Sequence, residues 1–195
     1  MVMRVGDDAA WEAMWAPYDN ETYARTLGFV PRGATVLDIG AGDLRLSRRL
    51  AEQARRVYAI ERRPELLPAT PLPPNLIVIC ADARTLPFPA RIDTAVLLMR
   101  HCRHFALYRT KLEAAGCTRL ITNARFGMDV ECIDLSARPR PYDELAMGWY
   151  ACRCGATGFV AGPPERLTSS TLEHITEVEN CPECKHYGRI SHRIA

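Results

Sequence analysis

The sequence predicts an α/β fold: a parallel sheet flanked by helices, followed by a small four-cysteine appendage. Three observations predict it. Apolar, β-branched runs of strand length recur through residues 35–123 and alternate with helical or turn segments. The first of these runs stops at two closely spaced glycines, and an amphipathic segment starts at once. Beyond a proline-broken stretch at 136–141 the composition changes, and two close cysteine pairs appear.

Residues 7–29 read as helical and carry Trp11, Trp15, Tyr18 and Tyr23. Their aromatics either pack on the sheet or form a lid over a cleft. The first strand is Thr35-Val36-Leu37-Asp38-Ile39, closed by Gly40-Ala41-Gly42-Asp43. In the helix that follows, Leu44, Ser47, Leu50, Ala51 and Ala54 share one face, and Arg45, Arg48, Arg49, Glu52 and Gln53 the other. Val57-Tyr58-Ala59-Ile60 is a second strand ending in Glu61. Pro64 should open a short helix, because Pro68, Pro71, Pro73 and Pro74 forbid a longer one. Leu76-Ile77-Val78-Ile79-Cys80 is a third strand, followed by Ala81-Asp82-Ala83; the fourth, 94–99, opens with Asp93. A helix to about Ala115 with a Gly116 cap, a fifth strand at 119–123 and a sixth at 128–135 complete the pattern. The expected units are therefore 1–135 and 148–195.

A glycine turn at a strand end lets backbone approach a ligand closely, and two cofactor families use it. A dinucleotide site wants a third glycine where this chain has Arg45. An acid two places before the first glycine, Asp38-Ile39-Gly40-Ala41-Gly42, instead resembles the first motif of class I, Rossmann-like S-adenosylmethionine-dependent methyltransferases. The family's later landmarks follow in order: Glu61, 23 residues after Asp38, then Asp82, then the strand opened by Asp93. The resemblance covers about residues 10–125. It implies that Asp38, Gly40 and Gly42 lie at the cofactor's methionine portion. It further implies that Glu61 binds the ribose hydroxyls and that Asp82, with the Ala83 backbone, faces the adenine.

Composition narrows the class. The 195 residues are 48% hydrophobic and 25% charged, which suits a globular chain with a real core. No apolar run approaches the ~18–20 residues of a membrane span, and the first residues lack the apolar core of an export signal. A formal charge of +2 points to no nucleic-acid partner by itself. Of eight cysteines, Cys152, Cys154, Cys181 and Cys184 form the two pairs, with 26 residues between Cys154 and Cys181. Paired cysteines without an export signal favour a metal over disulfides, and the expected location is cytoplasmic. Four thiolates leave no open position, so the ion would be a structural zinc in a ribbon-like appendage.

Methyl transfer needs alignment of a nucleophile more than acid–base help. A catalytic group should project from the end of the fourth strand, where Arg100-His101-Cys102-Arg103-His104 stands. The Asn-Pro-Pro-aromatic motif of amino-group nucleic-acid methyltransferases is absent there. His101 is the candidate base; substrate binding or helix capping is its other reading. The expected function is methyl transfer from S-adenosylmethionine to RNA or protein rather than to a small molecule. The rival is a non-catalytic module that binds a partner through its zinc ribbon.

Overall fold

The computed structural model describes residues 18–125 and 129–185. Trp11, Trp15 and Met128 of the expected elements lie outside them. Five strands are parallel: β1 (Thr35–Ile39), β2 (Arg56–Glu61), β3 (Leu76–Cys80), β4 (Thr94–Leu97) and β5 (Arg119–Thr122). Strand β6 (Glu131–Asp134) returns antiparallel beside β5, so the order is β3-β2-β1-β4-β5-β6. The chain runs outward from β1 to β3 and then crosses back to β4. This puts the reversal of strand order between the parallel strands β1 and β4, where open α/β sheets bind ligands at the carboxyl ends.

Continuous apolar runs form these strands because both faces are covered. Helices α1 (Asn20–Phe29) and α2 (Arg45–Ala51) cover one face with Tyr23, Leu46 and Leu50. Helix α3 (Phe105–Ala114) covers the other with Phe105, Tyr108 and Leu112. Asp19 caps α1, its carboxylate accepting from the Thr22 N–H at 2.7 Å. The helix expected after Pro64 is a single 3-10 turn, Pro64–Leu66, as the prolines behind it require.

The second sheet is built from β7 (Arg140–Pro141), β8 (Gly148–Cys152), β9 (Thr157–Val160) and β10 (Ile175–Glu179), in the order β7-β10-β8-β9. It takes in residues 140–147, which the sequence left between the two units. A short helix, α4 (Ser169–Glu173), closed by a Thr168–Thr171 capping box, leads into β10. The core of this sheet is small: Leu145, Tyr150, Ala156, Val178 and the cysteines. Leu167, Leu172 and Ile175 are exposed and contribute little to it.

The two sheets are joined by buried charge. Arg109 of α3 and Arg125, just beyond β5, are almost fully buried, and both pair with Glu177 of β10. Glu113 and Glu131 complete their pairing within the first sheet. Arg125 also donates to the Cys152 carbonyl at 3.2 Å, and its guanidinium lies 5.1 Å from the Phe105 ring centroid. Removing Glu177 would leave two buried cations short of an anion. Glu177→Ala should therefore lower the unfolding free energy by about 3 kcal/mol, measured by urea denaturation. A loss below about 0.5 kcal/mol, the level of an exposed pair, would show that the contact is incidental.

Candidate active site

The glycine turn forms because its backbone needs it. Gly40 and Gly42 have φ of +73° and +54°, conformations that a side chain disfavours. The N–H groups of Gly40 and Ala41 both donate to the Ile60 carbonyl, at 2.9 and 3.0 Å, which ties the turn to the end of β2. The turn also brings Gly40 against Met99, whose methyl carbon would lie 2.4 Å from any Cβ placed there. Leu44, at φ +65°, takes the left-handed step into α2.

Asp38 lies beneath this turn, 3% exposed, and accepts from the Ser47 hydroxyl at 2.6 Å. Burial raises its pKa to about 6 against the lowering effect of Ser47, and the charge of Glu61 adds to the rise. Ser47 was legible as the one hydroxyl on the apolar face of α2, but only the fold shows that it meets Asp38.

Three carboxylates along the carboxyl edge share a device that the sequence reading missed. Asp43, Glu61 and Asp82 are each followed two residues later by an arginine, and each accepts from both its backbone N–H and its side chain. Asp43 is held by Arg45 and Glu61 by Arg63, with the Arg63 N–H at 3.0 Å from Glu61. Asp82 is held by the Arg84 N–H at 2.9 Å and by its guanidinium. Arg84 is the main reason that the Asp82 pKa falls to about 2. Glu61, 4% exposed, also accepts from the Gly42 N–H at 2.9 Å, so the glycine turn and the second strand end are directly bonded. Ala83 is buried, with its carbonyl bonded to Lys111.

The loop after β4 brings the last candidate to the same edge. His101 is exposed, at φ +56°, inside the tight turn in which the Cys102 N–H donates to the Met99 carbonyl at 3.1 Å. A non-glycine residue held in this region is a strained position of the kind that functional loops carry. Cys102 packs into the core beneath. Tyr18, just before α1, meets this loop: its hydroxyl accepts from the Arg100 N–H at 3.4 Å, and the Arg100 guanidinium stacks 5.1 Å from its ring centroid. The carboxyl edge of the sheet thus carries the glycine turn, Glu61, Asp82 and the loop of His101 at the ends of β1, β2, β3 and β4.

Residues 37–120 match the family model described as a methyltransferase domain. Among solved structures, the chain is similar to a precorrin 8w decarboxylase of Methanobacterium thermoautotrophicum, at 24% identity and TM-score 0.48 over 55% of this chain and 63% of that one. It is also similar to the 23S rRNA methyltransferase ErmE, at 23% identity and TM-score 0.43 over 54% and 46%. A dimethyladenosine transferase of Plasmodium falciparum matches at 17% identity and TM-score 0.46 over 53% and 41%. The chain thus spans less than two thirds of each of these proteins. No curated protein sequence matches it.

Beside the first sheet, the four paired cysteines come together. Parallel pairing of β8 with β10 sets Cys152 opposite Val178, which brings the turn after β8 beside the turn after β10. The four sulfurs lie within 4.8 Å of one another, and three of the cysteines are buried. Neighbouring sulfurs are 3.6 Å apart for Cys152 and Cys184, 3.6 Å for Cys154 and Cys181, and 3.8 Å for Cys181 and Cys184. A tetrahedron with metal–sulfur bonds of about 2.3 Å has edges of about 3.8 Å. Disulfide sulfurs would be about 2 Å apart, and all four thiols are free. Gly155, at φ +101°, makes the first turn, and its Cα side lies against Phe105 at the start of α3. Among the described residues no helix is long and apolar enough to cross a membrane.

The buried Asp38 gives a pH test. Its folded pKa is raised above the unfolded value, so its stabilising contribution is full below about pH 3.8 and is lost as pH rises through about 6. In Asp38→Asn the amide oxygen can still accept from Ser47, and no charge is buried. Wild type should gain on the variant by about 2.5 kcal/mol between pH 7 and pH 4. Paired urea titrations read this directly, and a pH-independent difference would show that Asp38 does not titrate in this window.

Proposed function

We propose that this chain transfers a methyl group from S-adenosylmethionine to RNA or protein, and that its second sheet is held by one structural zinc. The observation that carries the cofactor assignment is the succession of the glycine turn, Glu61 and Asp82 at the carboxyl ends of the adjacent strands β1, β2 and β3, with the glycine turn beside the switch between β1 and β4. Asp43 adds to it. Its carboxylate accepts from the Arg45 N–H at the start of α2, where a dinucleotide's pyrophosphate would need to sit. A carboxylate there repels an anionic pyrophosphate and tolerates a sulfonium cation.

The cofactor, when bound, supplies an electrophilic methyl group on a cationic sulfur. The chain's own residues align it. Glu61 takes the ribose hydroxyls on oxygens now shared with Gly42 and Arg63, a carboxylate having about four acceptor positions. Asp82 and the Ala83 backbone take the adenine, while Gly40 leaves room for the methionine portion once Met99 turns aside. Asp38 acts from below, setting the turn through Ser47. His101 stands at the end of β4 as the base for an acceptor proton. Arg62 and Arg103, both exposed on this edge, favour an anionic acceptor and so RNA over protein.

Isothermal titration with S-adenosylhomocysteine tests the assignment, and Glu61→Ala should weaken binding by about 1.5–3 kcal/mol. No heat with millimolar ligand would leave the non-catalytic module as the reading. With an RNA acceptor in hand, His101→Ala should lower turnover about 10²–10⁴-fold. Unchanged turnover would make His101 a bystander.

For the second sheet, protein purified without added metal should carry close to one zinc per chain, and Cys181→Ser should lose it. Structural zinc supplies about 10–16 kcal/mol of apparent binding energy at neutral pH, which a core as small as this one cannot replace. A metal-free protein with the four thiols paired as disulfides would overturn the zinc and, with it, the cytoplasmic location that we infer from reduced cysteines.

A further inference from the structure

Lys111 is one of only two lysines in a chain whose other basic residues are arginines, Lys185 being the second. It projects from the face of α3 opposite Arg109 and Glu113. Its ammonium donates to the carbonyls of Ala83, Arg84 and Leu86, the last two at 3.1 and 2.7 Å. The Phe88 ring covers it at 4.3 Å from the centroid. Three carbonyls of one loop thus converge on one point charge. An ammonium has three donors at one nitrogen and can satisfy them; a guanidinium spreads its donors over a plane and cannot.

The consequence lies one bond further on. In the Ala83–Arg84 peptide, the carbonyl faces Lys111 and the N–H faces the opposite way, onto Asp82 at 2.9 Å. A planar trans peptide fixes these two directions together. Holding the carbonyl therefore holds the N–H, and the N–H orients the carboxylate. The Leu86 N–H and the Thr85 N–H also donate to the Asp82 carbonyl, at 2.9 and 3.1 Å, so the loop closes on itself only while its outer carbonyls have a partner.

We propose that Lys111 is the positioning residue of Asp82, setting that carboxylate to recognise the 6-amino group of the cofactor's adenine through the Ala83–Arg84 peptide. The inference rests on the cofactor assignment above and extends it to a residue that never touches the ligand. Arg84 holds Asp82 from the solvent side and can be exchanged for a ligand donor; Lys111 holds the peptide from the core side and stays in place.

The test compares S-adenosylhomocysteine with S-inosylhomocysteine, in which a carbonyl replaces the 6-amino group, by titration calorimetry on the full chain. The unmodified protein should prefer the adenine ligand. In Lys111→Met that preference should fall about tenfold, the size of one well-aligned hydrogen bond to a charge, while affinity for the inosine ligand stays nearly unchanged. A residue that only supported the fold would weaken both ligands alike. Lys111→Arg keeps the charge and the fold and should lose the same preference; it decides the matter if the methionine variant fails to fold. Retention of the preference in these variants, or its absence from the unmodified protein, overturns the role of Lys111 alone. Failure of the unmodified protein to bind either ligand removes the cofactor assignment, and this inference with it.

Discussion

Two buried guanidinium groups on one carboxylate, Arg109 and Arg125 on Glu177, decide where the two sheets stand. Desolvating these charges is costly, and the attraction recovers that cost only if each finds all its partners. Partners come from both sides: Glu113 of α3 and Glu131 of β6 on one, Glu177 and the Cys152 carbonyl in the second sheet on the other. A sliding of one sheet over the other would strand charge. The pairing thus fixes one docking geometry, a specificity that apolar packing alone would supply less sharply.

Helix α3 sits at the centre of this arrangement. Its Arg109 and Glu113 reach toward the cysteine-rich sheet, where Glu177 and Arg153 receive them. Phe105 at its start touches the Gly155 turn of the cysteine cluster. Lys111, on its other side, grips the loop behind Asp82. One rigid element therefore borders both the four-sulfur cluster and the loop that carries Asp82. Unfolding the second sheet would therefore remove Glu177 from two arginines, one of them on α3.

The parts of this molecule that were legible in the sequence are those set by local rules. Strand runs bounded by glycine, proline and acids located β1 to β5 within a residue or two, since strands covered on both faces read as near-continuous apolar runs. The two cysteine pairs were legible because ligand spacing is local. The second sheet was not. Its β7 is two residues long, and the parallel pairing of β10 with β7 and β8 depends on a crossover whose length and composition carry no signal. Arg109 and Arg125 looked like ordinary surface arginines, because burial by a distant segment has no local mark. Ser47 beneath the glycine turn and Lys111 behind Asp82 stayed hidden for the same reason: their partners are 9 and 25–28 residues away.

The acid-x-arginine pairs resolve a problem that the carboxyl edge would otherwise have. Four carboxylates, of Asp38, Asp43, Glu61 and Asp82, gather along one sheet edge, and like charges at close range raise each other's cost of ionisation. Asp38 carries a small part of that cost: burial is the main reason that its pKa rises to about 6, and the charge of Glu61 adds to it. Asp82 shows the opposite, held ionised down to about pH 2 by Arg84. Each pair is locally neutral, so the edge carries acceptors without carrying a large negative field. The Asp43 and Asp82 pairs are also partly exposed, and ion pairs in such positions are worth only about 0–1 kcal/mol. A ligand that donates to the carboxylate can therefore displace the guanidinium at little cost. The backbone N–H of the same arginine stays on the carboxylate and keeps it aimed. Weak side-chain pairing over firm backbone pairing leaves Asp82 oriented before a ligand arrives and accessible when it does.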